Sequence, residues 1–305
     1  MSDNRLSTWT RFWHEPVRAE RLALMRGLLG LALLADQLFQ YLPNLMEFFG
    51  PTGVAPAGLH DAYQLRQWRW TVLLFNHDDP AVVYPLFWAW VGVTAAWTAG
   101  LLTRLTGVLV WFGTLCWVYR NPNILNGGDD TLQVGLFLLM LSPCGRALSL
   151  DALLFRRPPH VPPWSVRLIQ LQLCVVYLTT GFVKLVGEGV GPHYLPKGTW
   201  WDGTSIHYAL NYVTMSRWSF AQLPLPLWAT APLTYVSVWW ETLFPLLVLW
   251  RRTRPYALWF GVLFHVGIWL TIEVGWFSFY TLSLYGVWVP DRFWERLAGC
   301  EPRTK

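Results

Sequence analysis

Apolar residues run along this chain in stretches of about twenty, with charge kept almost wholly between them. Eight stretches occur in the 305 residues, at roughly 21–42, 80–100, 104–119, 130–144, 166–187, 227–250, 256–273 and 275–290. A helix rises 1.5 Å per residue, so about 20 apolar residues cross a ~30 Å hydrocarbon core. The fourth stretch is clearly apolar only from Thr131 to Pro143, and the eighth starts directly after the seventh, at Gly275. Only 13% of the residues are charged and 54% are hydrophobic, against roughly 25% charged in a soluble domain. That leaves too little polar surface to cover a water-soluble fold. The apolar content excludes disorder, and four cysteines without a CxxC pair exclude a disulfide scaffold. The expected fold is all-α, a polytopic membrane bundle of about eight transmembrane helices.

The basic residues set an orientation. With the N-terminus cytoplasmic and eight spans, sixteen of the 23 Lys and Arg fall in inner segments and five in outer ones. Removing the fourth helix would place the basic 146–167 loop outside and destroy this bias. The positive-inside rule therefore predicts both termini inside: a cytoplasmic segment 1–20, a transmembrane domain 21–290 and a cytoplasmic tail 291–305. It also accounts for the net charge of +5 without a nucleic-acid partner. The first 20 residues are polar and basic, and no small-residue cleavage site follows the first apolar run, so no cleavable signal peptide is expected. The long outer loops, 43–79 and 188–226, carry Trp68, Trp70, Trp200, Trp201 and Trp218. Two readings stand for these rings: an interfacial aromatic belt, or amphipathic segments that roof a cavity.

Ionisable groups inside spans are expensive, about 2.5–3.5 kcal/mol each on insertion scales, and each is a functional hypothesis by default. The set comprises Arg26 and Asp36 in the first span, Asp129 and Asp130 opening the fourth, Lys184 in the fifth, Glu241 in the sixth, and His265 and Glu273 in the seventh. Several have plain structural readings. Arg26 suits another helix or a lipid headgroup, the two aspartates suit a helix cap, Lys184 can snorkel, and Glu241 and His265 could form a structural pair. The chemical reading centres on Lys184. Desolvation disfavours its charged form, so a neutral amine becomes available as a base toward a lipid-soluble acid, with nearby carboxylates or His265 orienting substrate or returning the proton. Asp129, Asp130, Glu241 and His265 complete the candidate catalytic set. His265 has no ligand-type neighbour three or four residues away, so no metal is expected.

Particular stretches resemble a known family. Pro159-His160-Val161-Pro162-Pro163-Trp164 and the run from Gln172 through Tyr177, Gly181 and Lys184 to Leu185 are similar to the membrane core of the vitamin K-dependent gamma-carboxylases. Trp201-Asp202-Gly203 with Ser205 and Tyr208, Phe264-His265 and Phe277-Ser278 follow in the same order. Phe49-Gly50-Pro51-Thr52-Gly53 and Leu148-Ser149-Leu150-Asp151 fit the wider HTTM (horizontally transferred transmembrane) domain family. The resemblance spans roughly residues 18–290. It implies that Lys184 matches the lysine proposed to deprotonate vitamin K hydroquinone, and that His265 matches a histidine of the same core. It thus implies a quinol of the vitamin K or menaquinol type as cofactor. The carboxylases carry an Asn-His pair in the turn before the fourth helix, where this chain reads Asn126-Gly127-Gly128-Asp129-Asp130. Their large lumenal domain has no counterpart here.

Three function classes follow. The first is a quinol-dependent membrane enzyme, carboxylase-like, with Lys184 as base. The second is an accessory factor for maturation or export of a secreted peptide. The third is a non-catalytic membrane protein. The expected setting is the lipid bilayer of a bacterial inner membrane, with the site toward the outer face. Topology is directly testable: Ser216→Cys and Thr253→Cys, made in a background freed of the natural cysteines, are expected to react with an impermeant maleimide from opposite sides. Labelling of both from one side of intact cells would refute the eight-span arrangement.

Overall fold

The computed structural model describes residues 9–10, 12–57, 77–155, 158, 160–186, 199–217 and 225–297. Helices dominate. In chain order they are α1 (Glu20–Asp36), which continues into a π-helical turn at Gln37–Tyr41, α2 (Leu45–Phe49), α3 (Pro80–Ala99), α4 (Thr103–Arg120) and α5 (Gly127–Leu141). After these come α6 (Leu150–Phe155), α7 (Trp164–Val186), α8 (Ser205–Asn211), α9 (Leu227–Leu249), α10 (Arg254–Thr271), α11 (Phe277–Leu284) and α12 (Asp291–Leu297). One small departure from an all-helical fold is a two-residue antiparallel ladder, Val17–Arg18 (β1) against His160–Val161 (β2).

A helix lies at each of the eight apolar stretches, and four of the helical segments are long and apolar enough to cross a membrane: Glu20–Tyr41, Pro80–Ala99, Trp164–Val186 and Leu227–Leu249. The helices at the third and seventh stretches, α4 and α10, are 18 residues each, α5 is 15 and α11 only 8. Trp68, Trp70 and Trp218 lie outside the described residues, as does most of the tail beyond Leu297.

The chain divides into two compact units, one comprising residues 1–169 and 275–305, the other residues 170–274. In the first unit α1 packs on α3, α5 and α11, while α4 packs on both α3 and α5. Its centre is aromatic. Trp90 and Trp117 stack at 5.6 Å, with Phe49, Phe87 and Tyr41 set edge-on around them. Many of the tryptophans are therefore packing residues; Trp97 and Trp117 are among the largest side chains fully removed from solvent.

Local chemistry fixes the helix ends. Asp79 accepts from Ala81 N at 2.8 Å and Pro80 supplies a preset φ, which together start α3. Gly100, in the left-handed region at φ 78°, ends it. Asp151 of α6 then caps α4 from a distance: its carboxylate accepts from Leu102 N and Thr103 N, each at 2.8 Å, and from the Thr103 hydroxyl. Two backbone donors that a helix start leaves unpaired are thus satisfied by the last residue of the Leu148–Asp151 motif. Arg26, fully buried in α1, donates to Cys144 O at 2.7 Å and Leu148 O at 2.5 Å, which holds the same motif from its other side. The expected partner for Arg26 within the protein is another helix; the observed one is the turn between α5 and α6.

The Phe49–Gly53 motif is likewise a folded turn. Gly53 N donates to Gly50 O and Val54 N to Glu47 O, and a Cβ on Gly53 would sit 2.5 Å from Glu47 O. Arg120 donates to Ala55 O at 2.7 Å and Asn121 to Phe48 O at 2.9 Å, which ties this turn to the end of α4. Replacing Asp151 with Ala is expected to destabilise the protein by about 2 kcal/mol, the upper range for losing a cap. A fall of several degrees in the thermal unfolding midpoint in detergent is the readout; an unchanged midpoint would show that water replaces the carboxylate.

Candidate functional site

The site in the second unit begins with a glycine. A Cβ on Gly181 in α7 would lie 2.6 Å from the backbone N of Thr242 in α9, so only glycine lets the two helices come this close. Small residues at such crossings are how membrane helices gain contact without a hydrophobic driving force. The crossing places Lys184, one turn beyond Gly181, beside Glu241, the neighbour of Thr242. Lys184 Nζ donates to Glu241 Oε2 at 2.5 Å. The Glu241 side chain is 6% exposed and that of Lys184 is 21% exposed, so the carboxylate is enclosed while the amine keeps an open flank.

Trp200, in the turn segment at residues 199–203, lies against the amine of this pair. The Trp200 ring lies 4.7 Å from Lys184 Nζ, within cation–π range. Trp201 donates from its indole N–H to Leu185 O at 2.8 Å, pinning the segment to the end of α7. Asp202 accepts from Thr204 N and its hydroxyl, Gly203 adopts φ 80°, and Thr234 of α9 donates to Gly203 O at 3.0 Å. Ser205 donates to the Thr199 hydroxyl at 2.8 Å. The Trp201-Asp202-Gly203 motif and Ser205 therefore build the turn that holds Trp200 over the amine. Trp200 thus lies against the Lys184 amine, while Trp201 is 60% exposed.

Two helical turns back along α7 from Lys184, Tyr177 Oη and His265 Nε2 of α10 are hydrogen-bonded at 2.7 Å; the imidazole tautomer decides which group donates. His265 is fully buried. Phe244 and Trp240 pack on the Tyr177 ring at 4.2 and 4.9 Å, and Phe264 sits against the imidazole. His265 is close enough to Lys184 to feel its charge. The direct partner of Lys184 is Glu241, one of the carboxylates of the candidate set.

Asp129 and Asp130 belong to the other compact unit. Asp129 closes a capping box at the start of α5: its carboxylate accepts from Asn126 N at 2.7 Å while Asn126 accepts from Gly128 N at 2.7 Å. Asp130, its neighbour, is exposed. Asp36, at the point where α1 widens into the π-turn, accepts from Tyr280 Oη at 2.5 Å and feels the charge of Asp129. Glu273 accepts from Arg217 at the far end of α10. Among the described residues no group of three metal-ligating side chains occurs.

Sequence reasoning left out Tyr177 as a partner of His265 and Trp200 as the ring beside the Lys184 amine. A signal for the first was present: Tyr177, Gly181 and Lys184 fall at i, i+4 and i+7 on one helix face. Nothing local marks Trp200.

Comparison with known proteins gives one match: the HTTM domain family aligns with residues 132–292, more than half of the chain, including Lys184, Glu241 and His265. No curated protein matches the chain, and no solved structure matches it. Replacing Gly181 with Ala is expected to push α7 from α9, costing about 1–3 kcal/mol as overpacking does. A lowered unfolding midpoint checks this; an unaltered one would mean the crossing has slack.

Proposed function

The chain belongs to the HTTM domain family, and we propose that in this membrane protein Lys184 and Glu241 act as a proton-handling couple toward a lipid-soluble acid, a quinol being the substrate class. The carrying observation is the pair itself: a carboxylate enclosed by protein, 2.5 Å from an amine with one open flank. An amine serves as a base only when its own proton has somewhere to go. Passing that proton from Nζ to Oε2 removes two charges from poorly solvated surroundings, a step that a substrate excluding the remaining water would favour. Lys184 is then a free amine at the open flank, and Glu241 stores the proton for return.

The surroundings fit a flat apolar substrate. Trp200 offers a ring face beside Nζ, and aromatic faces stack well on planar rings. A quinol, when bound, would supply the acidic O–H and the reducing equivalents. Tyr177 and His265 lie behind the couple as a second hydrogen-bonded proton carrier. Asp129, engaged in its capping box, is given no part in this chemistry. In the eight-span arrangement the couple faces the outer side of a bacterial inner membrane, which gives the open flank access to the outer leaflet.

The same ion pair supports a second reading, a clamp that fixes α7 against α9. Arginine separates the two, because it keeps the charge and the reach but is not deprotonated in proteins. In lipid nanodiscs, the wild type is expected to speed the oxidation of menadiol by oxygen over protein-free discs. Lys184→Arg and Glu241→Gln are expected to lose at least about tenfold of that rate, with Lys184→Arg keeping its unfolding midpoint. Full activity in Lys184→Arg, or no acceleration by the wild type, would overturn the base reading and leave the clamp.

A further inference from the structure

The first unit holds a cavity of its own. It is a half-open groove between α4 and α5 of about 560 Å3, lined by Trp111, Phe112, Leu115, Tyr119, Gln133 and Phe137, with Val134 beside them. Volumes of this order are those of small-molecule sites. Trp111 and Phe137 meet at 5.3 Å and close one end. Phe112 and Phe137 are 38% and 39% exposed, so the mouth opens sideways from the helix pair.

Gln133 is the anomaly. It is 8% exposed and lies on the cavity wall, yet its amide hydrogen-bonds to no other group among the described residues. It sits six residues into α5, about 9 Å along the helix from its start at 1.5 Å per residue. A polar side chain enclosed among aromatic rings without a partner is disfavoured relative to leucine, and more so where no water competes. A bound molecule that exchanges a hydrogen bond with the amide removes that penalty. The lining specifies the rest. No ionisable acid or base contributes except the Tyr119 phenol, so the ligand is uncharged; the rings favour a planar body; the amide requires a carbonyl or hydroxyl on it.

We propose that this cavity is a binding site for a planar, uncharged lipid bearing a ring carbonyl or hydroxyl, recognised through Gln133. The site is separate from the Lys184 couple and does not require it.

Two probes test it, menadione and 2-methylnaphthalene, which share a ring system and differ in the carbonyls. Binding is measured on the full chain in nanodiscs by equilibrium dialysis against empty discs. The wild type is expected to prefer menadione by roughly tenfold, the discrimination of one buried hydrogen bond. Gln133→Leu should erase the preference while 2-methylnaphthalene still binds, and Gln133→Met repeats the test at equal side-chain length. Leu115→Trp should fill the cavity and abolish binding of both probes. Preference that survives Gln133→Leu and Gln133→Met, or binding of both probes that survives Leu115→Trp, overturns the proposal. So does a phospholipid that native mass spectrometry finds retained by the wild type, lost in Gln133→Leu and not displaced by menadione. Lys184→Arg is expected to leave the menadione preference intact, so failure of the proton-handling couple and failure of this site read out separately.

Discussion

The second unit depends on the approach of α7 to α9 at Gly181. An ion pair in poorly solvated surroundings survives only when its geometry is tight, since desolvating both ions opposes their attraction. Gly181 supplies the tightness: the helix backbones meet where Thr242 stands, and Lys184 and Glu241 are the adjacent residues on either side of that crossing. Removing either charge alone would strand the other, a loss of about 3–5 kcal/mol for a buried pair. Pro245 of α9 has no N–H to give to the Glu241 carbonyl four residues earlier, so the helix ladder is interrupted at Glu241 itself.

The first unit handles its intramembrane charges differently. Arg26 is spent on two carbonyl oxygens and Asp151 on two backbone N–H groups and a hydroxyl. Each charge stands in for missing helix partners at a chain end. Backbone groups outside helical hydrogen bonding are tolerated in such proteins only where something internal satisfies them; Asp151 does that at the start of α4 and Arg26 in the turn between α5 and α6. Their conformations are determined by what they hold, which suits a scaffold.

How far the sequence disclosed this follows from the range of each interaction. Helix positions were legible because apolar content is a local sum, and the Asn126–Asp129 cap because its partners are three residues apart. Lys184 stood out because a lysine among Leu, Val and Phe is unusual. Its partner did not, because Lys184 and Glu241 are 57 positions apart and only the helix crossing at Gly181 decides which residue of α9 it meets. The aspartates at 129 and 130 were attractive on charge alone, yet Asp129 was already explained by its own backbone. The π-turn at Gln37–Tyr41 left no mark in the apolar pattern, and a helix widened there brings Asp36 to Tyr280.

The contrast between the units bears on where chemistry can occur. A group that performs proton transfer must retain unused hydrogen-bonding capacity and a route to a reactant. Arg26 is sealed, and Asp151 accepts three hydrogen bonds from α4. Lys184 has three donors, of which Glu241 takes one, and the amine is covered on one side only by a ring that cannot accept a strong hydrogen bond. Among the described charged residues of the membrane helices, Lys184 combines a partner able to exchange a proton with a side chain that is 21% exposed. A structural clamp has no need of that open flank. The open flank is the physical reason to place a reactant beside Lys184.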